Sequence, residues 1–218
     1  IAFSVLGILL LSHEAANNIV LWILTFAAGV GIMALANKQT DAKARMKLFV
    51  FLSLCIVSVA FWSLYMLEPS LLTMFIKTSV NRHIFGSIIP PSTFYGLDPI
   101  YIILFGLVLS WLWRRLAEKN KDLSLPTKFV LSLIFMGTGY LIFRVGLHFA
   151  NKEHLVNMSW VISGYWFLSI AELLISPIGL SMVGRLSPEG SEGVLMGIWQ
   201  LFIGLSAIIS GYIATATV

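Results

Sequence analysis

Charge is scarce along this chain: Asp, Glu, Lys and Arg make up 11% of its 218 residues, against roughly 25% in an ordinary soluble domain. So little charge, with 58% apolar residues and a mean hydropathy of +0.92, excludes a soluble globular domain and indicates an integral membrane protein. Cysteine is nearly absent as well. Cys55, the single one, lies in an apolar stretch, permits no internal disulfide and reads as a small core residue. Catalytic signatures are missing: there is no Gly-x-Ser-x-Gly elbow, no paired-His helix motif, no Walker sequence and no Cys-pair site. An enzyme is therefore not expected, nor a metal or organic cofactor. No basic segment followed by a small-residue cleavage site supports a signal peptide. The sequence opens on an apolar segment without an initiator Met and stops at Thr215-Ala216-Thr217-Val218 with no polar tail. The expectation is a piece of something longer. Solenoid repeats, low-complexity runs and linkers are also lacking, so one helical bundle, or part of one, is expected.

What is present is a succession of apolar runs. Spanning a bilayer as a helix takes about 20 residues. By that measure the sequence predicts a short stub at Ile1–Leu11 and spans at Asn18–Ala36, Leu48–Phe75, Pro99–Trp113, Phe129–Ala150, Met158–Val183 and Val194–Val218. Leu48–Phe75 is too long for a perpendicular crossing, and Pro69, which lacks a backbone donor, is where it should bend. Pro177 offers a second kink.

The net charge of +4 does not indicate a nucleic-acid partner, because the basic residues sit in short connections between apolar runs. Lys38, Lys43, Arg45 and Lys47 fill one connection, and Arg114, Arg115, Lys119, Lys121 and Lys128 another. Both should be cytoplasmic. Alternation then places Arg185 inside, Lys77, Arg82 and Lys152 outside, and Arg144 within a helix.

Glu172 is the residue that most needs a reason. It sits near the middle of the run Ser159–Val183, where an acid costs roughly 2.5 to 3.5 kcal/mol on insertion scales and faces a bundle interior, a partner or a water-filled cavity. A substrate or proton site is the leading reading, and a satisfied carboxyl locking two helices the plainer one. Asp98 reads as an N-cap with Pro99 at the first helical position, ligand contact being the other option. Arg144 either snorkels to the outer headgroups or pairs with Glu68 as a gate. Trp62 and Trp199 lie too deep for an interfacial belt, leaving a cavity wall or helix packing. His13, His83, His148 and His154 fall at or beyond helix ends, where interfacial placement is the ordinary explanation.

The stretch Ala171-Glu172-Leu173-Leu174-Ile175-Ser176-Pro177-Ile178-Gly179-Leu180-Ser181, continuing to Leu186-Ser187-Pro188, resembles the tenth transmembrane helix of the proton-dependent oligopeptide transporters, members of the major facilitator superfamily. Met196-Gly197-Ile198-Trp199 resembles the start of that family's eleventh helix, and Phe61-Trp62-Ser63-Leu64-Tyr65 its seventh. Ile89-Pro90 and Leu97-Asp98-Pro99 resemble the approach to its eighth.

The resemblance implies an all-α membrane bundle like the carboxy-terminal half of such a transporter. Residues 1–40 would be the extra helix pair that bacterial members insert between their halves, and residues 41–218 helices seven to eleven, incomplete. It implies proton-coupled symport of di- and tripeptides by alternating access across a bacterial inner membrane, with the missing amino-terminal half as partner and protons as coupling ion. Glu172 would engage the substrate's amino terminus and couple it to protons, and Trp62 and Trp199 would line side-chain pockets. Asp98 stands where the family usually has Asn, a contact to the peptide backbone. Met66-Leu67 occupy the places of a frequent Glu-Gln, with Glu68 following, and Tyr95 replaces a frequent Gln. A non-peptide solute carried on the same fold, and a non-transporting membrane binding module, are the alternatives.

Overall fold

A computed structural model describes residues 14–217; the stub at Ile1–Leu11 and His13 lie outside the described residues. The helices are α1 (Glu14–Lys38), α2 (Ala42–Tyr65), α3 (Thr73–Ser79), α4 (Pro91–Tyr95), α5 (Leu97–Glu118), α6 (Leu125–His148), α7 (Met158–Leu186) and α8 (Glu192–Ala216). Among the described residues, six helical stretches are long and apolar enough to cross a bilayer, Ala42–Ser79 and Pro91–Glu118 each counting as one. Every expected span after the stub is found, most extended by several residues into their polar flanks. The periodicity of a soluble helix is absent because the outward faces are apolar too: on α5, Leu107 is 74% and Ile103 69% exposed. Such a surface belongs against acyl chains.

The expected break at Pro69 takes a particular form. Glu68–Leu72 is a π-helical turn between α2 and α3, with Leu72 N–H donating to Leu67 O at 3.0 Å, five residues back. Pro69 has no N–H to give, and the widened turn accommodates it without ending the helical path. Pro177 behaves differently, since α7 runs as one helix through it.

Two compact units divide the chain, one comprising residues up to Ser63 with Leu180–Tyr212, the other Leu64–Gly179 with Ile213 onward. In the first, Phe51, Cys55, Phe61, Met182, Leu195 and Trp199 form the core; Cys55 is fully buried, as expected. In the second, Phe129, Met136, Phe143, Tyr165, Leu168 and Ile175 do so. Two short strand pairs belong to this unit: β1 (Val80–Asn81) runs parallel to β4 (Val156–Asn157), and β2 (His83–Ile84) pairs antiparallel with β3 (Ser87–Ile88). The parallel pair ties the end of α3 to the start of α7.

Close approach of α6 and α7 rests on glycine. A Cβ at Gly164 would overlap Phe143 Cε1, one at Gly139 would lie 2.8 Å from Leu168 Cδ2, and one at Gly146 2.9 Å from Trp160 Cβ. Small residues at such contacts let membrane helices associate through packing, where no hydrophobic gain separates lipid from protein.

Candidate functional site

In the second unit three carboxylic acids converge from three segments: Glu68 on the π turn, Asp98 in the first turn of α5 and Glu172 in the middle of α7. Tyr65, at the end of α2, holds two of them. Its hydroxyl lies 2.8 Å from Glu172 Oε2 and 3.1 Å from Asp98 Oδ2. Ser169, one helical turn before Glu172 and thus on the same face of α7, places its Oγ 2.5 Å from Asp98 Oδ1 and 2.9 Å from the Tyr165 carbonyl.

Counting hydrogens shows what this network requires. Each hydroxyl has one proton and two acceptors in reach. The single Ser169 proton serves either Asp98 Oδ1 or the Tyr165 carbonyl, and the single Tyr65 proton either Glu172 or Asp98. The cluster therefore has more carboxyl acceptors than hydroxyl protons to serve them, and room for further donors.

Asp98 departs from its expected role. α5 starts at Leu97 after Gly96, which has no side-chain cap, and Asp98 is the second helical residue, 5% exposed, with its carboxyl bonded to Tyr65 and Ser169. It does not cap, because α4 and Gly96 already bring the chain in helically: Gly96 N–H donates to Thr93 O at 3.1 Å, leaving Asp98 to face the interior.

Glu68 is fully buried, and neither of its carboxyl oxygens has a hydrogen-bond partner within the protein. It lies within electrostatic range of Asp98 and Glu172. The gate pairing with Arg144 does not occur in this structure. Arg144 is exposed on α6 and its guanidinium meets His148 Nε2 at 3.1 Å, one turn away on the same helix. Burial on one side and exposure on the other separate the two side chains.

Trp62 and Trp199 belong to the first unit. Trp199 is 2% exposed in its core, and Trp62, half-buried, meets Phe61 edge-on with ring centroids 5.3 Å apart. Among the described residues no group of His, Cys, Asp and Glu has the arrangement to hold a metal ion.

Sequence reasoning missed Tyr65 and Ser169 as members of the cluster, together with Tyr140, whose hydroxyl donates to Leu64 O at 2.7 Å, and Tyr165, whose hydroxyl is buried without a partner. For Ser169 the signal was available, three residues before Glu172 on the same helical face. Tyr65 had none, since its partners are 33 and 107 residues away.

Residues 5–218 match the POT family. Dipeptide and tripeptide permease B of Aeromonas hydrophila is 32% identical over 209 residues, which are 95% of this chain and 42% of that protein. Permease A of Chromobacterium violaceum is 32% identical over 212 residues, 96% of this chain and 41% of its own length. The chain thus spans less than half the length of these relatives. Among solved structures, a peptide transporter POT in complex with sulfate superposes with a TM-score of 0.78 at 24% identity, covering 96% of this chain and 44% of that one. A POT family transporter in complex with 5-aminolevulinic acid gives 0.79 at 22%, over 98% and 46%. At these identities the likeness is one of fold.

Proposed function

Because the chain belongs to the POT family, we propose that it is the carboxy-terminal portion of a proton-coupled symporter for di- and tripeptides that works by alternating access. Its apolar helices and its family make it a multi-pass membrane protein, and a bacterial inner membrane fits the organisms of its relatives. Residues 41–218 then supply helices seven to eleven, and α1 is the second helix of an inserted pair. The observation that carries the reading is the Tyr65 hydroxyl between Asp98 and Glu172. A peptide ammonium brings three donors to acceptors that hydroxyls serve only in part. Its departure leaves acceptors that a proton can serve in its place, which is the exchange that coupling requires.

Uptake of a labelled dipeptide by proteoliposomes containing the complete protein tests this. Accumulation should follow an inward proton gradient and collapse without it; no uptake from folded protein would overturn the reading. A relative of the same fold in complex with 5-aminolevulinic acid makes a small non-peptide amine the second reading, separated from the first by its power to compete with the dipeptide.

Tyr65→Phe should leave folding intact while removing the bridging hydroxyl. A hydrogen bond to a charged group contributes about 1.5 to 3 kcal/mol, so KM for the peptide should rise by about tenfold or more. An unchanged KM would reduce Tyr65 to a packing residue.

A further inference from the structure

The acids of the second unit outnumber what a single ammonium can satisfy. Asp98 and Glu172 share the donors of Tyr65 and Ser169, whereas Glu68, fully buried, has neither carboxyl oxygen bonded within the protein. Tyr165 adds a hydroxyl, also buried and unpartnered, on a residue likewise without exposed surface. It lies within electrostatic range of Glu68 and Asp98 but does not reach hydrogen-bond distance to either. Three basic side chains of this unit are engaged elsewhere: Lys128 pairs with Asp122, Arg144 meets His148, and Arg82 donates to the Ile89 and Lys77 carbonyls.

We propose that Glu68, with Asp98 and the Tyr165 hydroxyl, forms a subsite for a second ammonium, so that the protein selects peptides whose first residue carries a basic amine, as in lysyl dipeptides. The inference rests on the peptide reading above and deepens it. The α-ammonium takes the Glu172 side of the cluster and the side-chain ammonium the Glu68 side. A compact, three-donor amine suits two converging carboxyls and a hydroxyl, and no metal-holding arrangement competes for these acids among the described residues.

The test is the affinity of the full-length protein, purified in lipid nanodiscs, for lysyl-alanine and for Nε-acetyl-lysyl-alanine, which keeps the stem but removes the charge. Lysyl-alanine should bind at least about tenfold more tightly, and Glu68→Gln should bring the ratio toward one. Asp98→Asn, of nearly the same size, should narrow it as well and serves if Glu68→Gln does not fold. Equal affinities in the wild type, or no binding of either probe, overturn the proposal. Uptake of alanyl-alanine in parallel keeps the two ideas apart: transport with a ratio of one sinks only the selectivity, while absent transport sinks the peptide reading and leaves the binding ratio to decide the subsite.

Discussion

Glu172→Gln should abolish gradient-driven peptide accumulation in the complete protein while leaving it folded. The amide oxygen can still accept from the Tyr65 hydroxyl, now at 2.8 Å from Glu172 Oε2, so that tie between α2 and α7 survives. What disappears is the ability to take up and release a proton and to pair as an anion with an ammonium. Removing one partner of a partly desolvated charge pair costs about 3 to 5 kcal/mol, a loss of more than a hundredfold in affinity. Proteoliposome uptake of a labelled dipeptide under an inward proton gradient measures it. Accumulation at the wild-type level would mean that Glu172 only fastens helices together.

The second large effect concerns folding. Gly164→Ala places a methyl well inside contact distance of Phe143 Cε1 and Cζ. That ring has little room to move, being set against Tyr140 and Tyr165 edge-on and against Phe75, with centroids 5.9, 6.2 and 6.3 Å away. Overpacking of this kind costs about 1 to 3 kcal/mol or more, and here it also forces α6 and α7 apart. The thermal unfolding midpoint of the detergent-purified protein should drop by several degrees, by about 2 to 4 °C per kcal/mol for a domain of this size. Gly137→Ala, on the same helix but with nothing within 4 Å of the added methyl, should be silent. Equal midpoints for the two variants would remove Gly164 from the packing argument.

Much of the architecture is legible in the sequence. Sparse charge and apolar runs of spanning length set the number and order of the membrane helices, since the bilayer admits only segments that satisfy their own backbone. Pro69 marked where the long span changes its winding, for want of one donor. Glu172 stood out because an acid at such depth is costly, and the motif around it pointed to the family to which the chain belongs.

Other matters were settled in three dimensions. Asp98 looked like a cap because Asp followed by Pro is a local signal of one, but Gly96 and α4 lead the chain in helically and release its carboxyl to Tyr65 and Ser169. Glu68 and Arg144 looked pairable from depth alone, and it is rotation about the helix axes that buries one and exposes the other. The glycines of α6 and α7 carry no periodic signature, because whether a missing Cβ matters depends on what faces it. The sequence by itself determined which segments enter the membrane and which acid must have a purpose, for both follow from local transfer free energy. Only the tertiary structure decided that acid's companions, because Tyr65 and Asp98 reach it from distant segments, through contacts that no local pattern encodes.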